Sequence, residues 1–319
     1  MILCCGEALI DMIPTTTGAG QPSFRPVSGG AVFNTAIALG RLGCPVGFFS
    51  GLSSDLFGDQ LRASLDESGV DHRLAVTRDL PTTLAFVTLS RGQARYTFYD
   101  ENTAGRMLSP DDMPDVPDGV NALFFGGISL ISDPCGTSYE ALARSQSGRK
   151  IVMLDPNIRR SFITNETGYR KRLREMIGAA DIVKVSDEDL DWIVPGDDAH
   201  EAKVRTIISA GPKLVFVTAG DAGATAFAAN GATANAPSRR VEVADTVGAG
   251  DTFNAGVLAA LSASGRLSHT ALADVSTSEL EEVMTFANAA AAITVSRIGA
   301  NPPTTAEIGA LLAEAGAAT

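Results

Sequence analysis

The chain has 319 residues, 45% of them apolar, and a formal net charge of −12. That length and apolar content are enough to bury a sizeable core as one large α/β unit. The negative charge argues against a nucleic-acid or anionic-membrane partner, while leaving room for a local anion site.

Taken in chain order, the N-terminal run "ILCCGEALI" is apolar but carries Glu7 and has no basic segment before it, so it is predicted as a first strand rather than a signal peptide. Helical spacing follows over 33–42, then a strand at "VGFFSGL", then a helix over 57–68. Segments 12–28 and 82–100 break the alternation. In the second, "TLAFVTLS" and "ARYTFYD" alternate around the turn "RGQ", which predicts a β-hairpin. With the Gly/Pro-rich first segment as partner, it is expected to form a small β-sheet lid over a ligand crevice. The runs "ALFFGGI", "KIVMLDP", "DIVKVS" and "KLVFVTAG" then alternate with helical stretches at 136–147, 168–178, 198–210 and 250–263. This pattern predicts an α/β fold, a Rossmann-like three-layer domain with a mainly parallel central sheet. Its ligands should bind beyond the carboxyl ends of the strands. Residues 1–319 are expected to form one domain, with the lid inserted and a small-residue tail, "AEAGAAT", at the end.

No apolar run approaches the roughly 20 residues of a membrane span. Cys4, Cys5, Cys44 and Cys135 show no CxxC or metal-ligand spacing and read as buried reduced thiols, so the expected location is cytoplasmic.

The most informative stretch is "DTVGAGDTFNAG", Asp245 to Gly256, between a strand-like run and an alanine-rich helical run. A helix N-terminus presents unpaired N–H groups, and glycines let a ligand approach them, so Gly248, Ala249 and Gly250 form a candidate anion cradle. Gly250 is expected to need glycine both for that approach and for a backbone angle other residues avoid. Asp251 at the cradle's edge would hinder simple phosphate binding, but it suits phosphoryl transfer because it can accept a proton from a hydroxyl. No GxxxxGK[ST] loop is present, which argues against a Walker-type enzyme. A dinucleotide-dependent oxidoreductase would need G-x-G-x-x-G after the first strand, and "CCGEALIDM" does not supply it.

"DTVGAGDTFNAG" resembles the C-terminal signature of the ribokinase-like (PfkB) carbohydrate kinases. Far upstream, "SGGAVFNTAIALGRLG" resembles their N-terminal signature, and "GLSSDLFGDQL" the segment after it. The resemblance implies a kinase with ATP as donor, Mg²⁺ as cofactor, and in some members K⁺ or another monovalent cation. It implies Asp251 as catalytic base, Gly248, Ala249 and Gly250 as anion hole, and Asp11, Gly29, Gly30 and Asn34 as sugar-binding residues. "DPNIR", with Asn157 and Arg159, resembles a segment reaching toward the phosphates. "VTAGDAG", with Thr218, Gly220 and Gly223, resembles the loop that follows ATP, and Asn288 matches a residue lining the adenine pocket. Where the family often shows N-x-x-E, organising Mg²⁺ and phosphate, this chain reads Ser186-Asp187-Glu188-Asp189, with shorter reach. Asp245, with the backbone near Arg297 and Gly299, is the candidate monovalent-cation site. Family members often form homodimers through the lid.

Several of these residues have plainer readings. Asp11 can cap a turn before Pro14, Asn34 can make a local helix-end hydrogen bond, and "VTAGDAG" can be a strand-end turn. Asn288 can be a packing polar group, and the three histidines can be ordinary solvated side chains. The expected reaction is phosphorylation of a primary hydroxyl of a ketohexose, fructose first. The alternatives are 2-keto-3-deoxygluconate as acceptor and a non-catalytic sugar sensor. The choice of a neutral sugar rests on Tyr99 and Asp100 in the lid segment, since an aspartate facing a substrate carboxylate would repel it. Arg95 and Arg106 nearby could reverse that preference.

Overall fold

The computed structural model describes residues 1–90 and 93–317, with side chains for all of these but 88–90, 93–96 and 315–317. The elements run β1 (Ile2–Cys5), β2 (Leu9–Thr16), β3 (Pro22–Gly29), α1 (Ala31–Arg41), β4 (Val46–Phe49), β5 (Gly51–Ser53), α2 (Leu56–Glu67), β6 (Val76–Arg78), β7 (Thr83–Ser90), β8 (Gln93–Tyr99) and β9 (Ala122–Gly126). There follow α3 (Cys135–Gln146), β10 (Ile151–Asp155), α4 (Glu166–Ala179), β11 (Ile182–Ser186), α5 (Asp187–Ile193), α6 (His200–Ser209), β12 (Leu214–Thr218), β13 (Ala224–Ala228) and β14 (Thr233–Ala236). The chain ends with α7 (Ala249–Ala263), α8 (His269–Ala273), α9 (Thr277–Val295) and α10 (Thr305–Ala317).

The central sheet has eight strands in the order β14-β13-β12-β11-β10-β9-β1-β4. β4 through β12 pair in parallel, and β13 and β14 add an antiparallel edge. The buried strands are continuous apolar runs because both faces are covered. One core, containing Phe33, Phe48, Phe216 and Phe253, lies under α1, α7 and α9; the other, containing Phe49, Phe125, Tyr139 and Leu173, lies under α3 and α4. These are the three layers expected. The order reverses at β1, whose neighbours are β4 and β9, and a ligand crevice opens at such a point beyond the strand ends.

The lid is a second sheet of four strands, β3-β2-β7-β8. The single strand expected over "ILCCGEALI" is in fact two. β1 leaves the central sheet at Gly6, and the same apolar run re-enters the lid as β2 from Leu9. A period-free apolar run cannot reveal such a change of sheet. "VGFFSGL" likewise divides into β4 and β5 at Ser50. The turn expected at "RGQ" and the side chain of Arg95 lie outside the described residues. The small-residue tail is helical through Ala317 as the end of α10.

α7 and α9 pack against each other through small residues. A side chain at Gly256 would meet the backbone of Ala287 at 2.6 Å, so the alanine-rich face of α9 lets the two helices close tightly. That contact holds the N-terminus of α7 over the carboxyl ends of the central strands.

Candidate active site

A cavity of about 290 Å³ opens beyond the carboxyl ends of β1, β9, β10 and β11. Its wall includes Glu7 after β1, Gly127 after β9, Asn157 and Arg159 after β10, Lys184 on β11, and residues 246–251 at the start of α7. The lid contributes Leu9, Asp11 and Phe98, and α1 contributes Gly30, Ala31 and Asn34. The two sequence signatures therefore face one space.

Asp251 sits in the first turn of α7, buried. Asn34 Nδ2 donates to its Oδ2 at 2.9 Å, and Thr35 Oγ1 donates to its backbone carbonyl at 3.2 Å. Burial pushes the Asp251 carboxyl up to about 7; the Asn34 hydrogen bond and the Lys184 charge oppose this, and Asp155 adds to it. An acid poised there can both take up and release a proton near neutrality. The helix begins on Gly248, which is left-handed with φ 79°. A side chain at Gly248 would come 2.7 Å from Ala300 Cβ, so this glycine is required both for its angle and for its space. Gly250 does not have the positive φ expected of it. Its missing side chain instead makes room for a charge: a Cβ there would lie 3.2 Å from Lys184 Nζ. In the first turn of α7 the Ala249 amide donates to the Thr246 carbonyl at 3.4 Å and the Thr252 amide to Gly248 at 2.8 Å, which leaves the amides of Gly250 and Asp251, both on the cavity wall, without a helical carbonyl four residues back.

Lys184 and Asp155 are a buried ion pair, Nζ to Oδ2 at 3.0 Å. Asn254 Nδ2 donates to the same Oδ2 at 2.7 Å, and the Asn157 amide donates to Oδ1 at 3.1 Å. The sequence reading singled out none of Lys184, Asp155 and Asn254. The available signals were a lysine inside the apolar strand "IVKVS" and an asparagine three residues after Asp251, on the same helical face. Glu7 was also missed. Its carboxylate accepts from the amides of Ala31 at 2.9 Å and Ser129 at 3.3 Å, tying the start of α1 to the loop after β9, and burial raises its pKa.

On the lid side, Asp11 lines the cavity, and burial pushes its carboxyl up to about 6. Gly29 does not line the cavity; a side chain there would collide with the carboxylate of Asp11, its diagonal neighbour on β2, so Gly29 makes space for that acid. Tyr99 and Asp100 correct the sequence reading. Strand alternation turns Phe98 to the cavity and leaves Tyr99 on the outer face, 62% exposed and edge-on to Phe86. Asp100 pairs with Arg106 at 3.1 Å, away from the cavity wall, so neither can discriminate a substrate there. Phe98 also meets Phe162 of the main body edge-on at 3.9 Å between centroids, a contact between lid and body.

The remaining candidates lie outside this cavity. Ser186 caps α5, its Oγ accepting from the Asp189 amide at 3.0 Å. Asp189 accepts from the Ile158 amide at 3.3 Å, and burial pushes it up to about 6. Thr218 pairs with Ser186 across β11 and β12, which places it on the same crest of strand ends. Gly220 and Gly223 form the turn between β12 and β13. Asn288 Nδ2 donates to the carbonyls of Ala236 at 3.0 Å and Pro237 at 3.2 Å, tying α9 to the end of β14. Asp245 accepts from the amides of Val247 at 3.1 Å and Gly299 at 2.9 Å, clasping the loop before α7 to the end of α9. Each histidine lies beside an aspartate, His72 by Asp66, His200 by Asp191 and His269 by Asp181, and none lines the cavity. Among the described residues, no group of three or more His, Cys, Asp or Glu side chains could hold a metal, and no helix is long and apolar enough to cross a membrane.

Residues 1–307 match the pfkB family carbohydrate kinases. A fructokinase from Rhizobium leguminosarum bv. trifolii is 50% identical over 262 residues, 82% of this chain and 79% of that protein. The crystal structure of a fructokinase with bound ATP from Xylella fastidiosa superposes with a TM-score of 0.90 at 30% identity, covering 99% of this chain and 98% of that one. A Vibrio cholerae O395 fructokinase, in a fructose-, ADP- and calcium-bound form, gives a TM-score of 0.84 at 26% identity, with 98% of each chain covered. The chain belongs to the pfkB family of carbohydrate kinases.

Proposed function

We propose that this kinase transfers the γ-phosphoryl group of ATP to a primary hydroxyl of fructose. The observation that carries the reading is Asp251. It is a buried acid at the open N-terminus of α7, held by Asn34 from the other signature and facing the cavity. The fructokinase relatives support the choice of sugar. So do three carboxylates on the cavity wall, Glu7, Asp11 and Asp251, which would disfavour an acidic sugar.

In this reading Asp11 and Asn34 accept and donate hydrogen bonds to sugar hydroxyls. Asp251 takes the proton of the attacking hydroxyl, and the amides at the start of α7 receive the phosphoryl oxygens. The lid, closing through contacts such as Phe98 to Phe162, excludes water and limits wasteful hydrolysis. Thr218 and the turn holding Gly220 and Gly223 extend the crest on which the nucleotide would lie. Bound with ATP, Mg²⁺ supplies positive charge against the phosphate oxygens. Such an ion would be held mostly by phosphate and water, with Asp155 at the end of β10 and Asp189 in the first turn of α5 as acids of the same crest. The remaining charge of Asp245, beside the loop before α7, suits a monovalent cation such as K⁺.

The outer face of the lid carries Phe24, Phe86 and Tyr99 in an edge-to-face row, with Phe24 42% exposed. We take this face as the contact of a homodimer. Free cysteines at positions 4, 5, 44 and 135 suit a cytoplasmic setting. The direct experiment is ADP release from ATP and Mg²⁺ with and without fructose. Sugar-dependent release that disappears in Asp251→Asn is expected. Release independent of any sugar would overturn the reading.

A further inference from the structure

Lys184 is a charged side chain in the middle of an apolar strand, 5% exposed, yet it lines the cavity. An ammonium has three N–H donors. Among the described residues its hydrogen-bond partner is Asp155, through one of them. Asp155 also accepts from the side chain of Asn254 and the amide of Asn157, so its oxygens do not depend on the lysine alone. Nζ lies against the backbone of Gly250, close enough that a Cβ there would approach it to 3.2 Å. The remaining donors are thus beside the helix end that carries the Gly250 and Asp251 amides, in the cavity whose wall the lid residues Leu9, Asp11 and Phe98 help to form.

We propose that Lys184 is a catalytic residue of this kinase, its Nζ donating to the phosphoryl group as that group passes from ATP to the sugar. In the step, the sugar hydroxyl oxygen forms a bond to the γ-phosphorus and its proton goes to Asp251. The bond from that phosphorus to the β–γ bridging oxygen breaks, and ADP leaves with the electron pair. Lys184 takes no part in the proton transfer; Asp155 Oδ2 at 3.0 Å fixes its ammonium in place, and its other N–H groups donate. Negative charge on the equatorial phosphoryl oxygens is stabilised by a cation fixed before the reaction starts. A fixed donor in a dry site needs no reorganisation. Glycine at 250 is what allows the ammonium to lie beside the first turn of α7.

The proposal rests on the kinase reading above, so sugar-dependent ADP release by the wild type is measured first. Failure there removes the fructose assignment, and the variants are then compared on the sugar that does support release. Lys184→Met and Lys184→Gln are assayed for kcat, for fructose affinity by calorimetry without nucleotide, and for inhibition by ADP with aluminium fluoride and fructose, a mimic of the phosphoryl in transit. Expected for Lys184→Met is a fall in kcat of about 10²–10³, with fructose affinity within about twofold of wild type. The fluoride complex should weaken by the same factor as kcat/KM. Lys184→Gln, which keeps a neutral donor, should fall less and decides the matter if the methionine variant does not fold. A folded variant retaining kcat within about fivefold overturns the proposal. So does one in which fructose affinity and the fluoride complex decline equally, since that is the signature of a collapsed cavity.

Discussion

Asn34 and Asp251 are 217 positions apart, and Asn34 Nδ2 donates to Asp251 Oδ2 at 2.9 Å. α1 begins at Gly30 and α7 at Gly248, both on glycines with positive φ, so the two helices present their N-terminal turns to one space. The Asn34 hydrogen bond stabilises the ionised form of Asp251. Asn34→Ala removes it and should move the acid limb of the kcat/KM profile to higher pH while raising KM for the sugar. An unchanged acid limb would show that the contact does not tune the base.

Asp251 carries the second prediction. In the free enzyme kcat/KM should climb with pH through about 7 and level off above it, as burial holds the carboxyl protonated below that pH. Asp251→Asn should lower kcat by about 10²–10⁴ with sugar binding nearly intact. A variant keeping more than about a tenth of wild-type kcat would refute its role as base.

The same burial has a consequence for stability, with the opposite sign from an ion-paired acid. The folded pKa of Asp251 lies above its unfolded value, from 3.8 to about 7, so the folded state binds more protons between those pH values. Stability from this group is therefore lost as pH rises through that window. Asp251→Asn, which cannot ionise, should melt higher than wild type at pH 8, by on the order of a few °C, and the gain should vanish near pH 4. Thermal melts across pH 4–8 check this; a constant difference across the range would contradict it.

Much of the site was legible because local chemistry specifies it. Glycines before a helical run and an acid in the first turn can be read from spacing, whereas Asn34 was pointed to by the resemblance of its segment to the family's N-terminal signature. The sheet layers followed from strand and helix alternation. What escaped reading depended on three-dimensional neighbours. Lys184 in "IVKVS" looks like any strand lysine until Gly250 is found against it. Tyr99 and Asp100 were misplaced because one step along a strand reverses the facing side, and no flanking residue fixes which side is in. The division of the first apolar run between two sheets left no mark in hydropathy, since both halves are buried.

The glycines of the cradle make separable demands. Gly248→Ala strains a left-handed angle and crowds Ala300, so it should destabilise the fold and reduce activity together. Gly250→Val displaces Lys184 and blocks the open amides without an angle conflict. Catalysis should collapse there while calorimetric sugar affinity survives. Equal loss of sugar affinity and activity in Gly250→Val would mark a purely structural turn.

The aromatic row on the lid bears on assembly. Phe24→Lys adds a charge to the exposed end of that row, on the edge strand β3, without touching the cavity. Light scattering after size exclusion should show a dimer for wild type and a shift to monomer for the variant. A wild-type monomer, or a variant with an unchanged dimer, would refute a lid-mediated contact.

The choice of acceptor sugar rests on the cavity wall and not on Tyr99 and Asp100. Asp100 is neutralised by Arg106 and lies off the cavity, so it cannot reject an acidic sugar. The cavity wall itself takes over that part. Glu7, Asp11 and Asp251 line it, and Asp11 and Asp251 are already held above their ordinary pKa by burial, which a further negative charge would raise. Two cations oppose them: Lys184 is paired to Asp155, and Arg159 is exposed at the rim. A substrate carboxylate placed near the three acids would suppress ionisation of the base, whereas the hydroxyls of a neutral ketohexose can donate to the same oxygens. Fructose should therefore exceed 2-keto-3-deoxygluconate in kcat/KM on the same preparation, at pH 8 and at pH 6. A tenfold preference for the keto acid, about 1.4 kcal/mol of transition-state binding, would instead mean that Arg159 folds inward to receive a carboxylate. Arg159→Ala would then abolish that preference and leave phosphorylation of fructose unaffected.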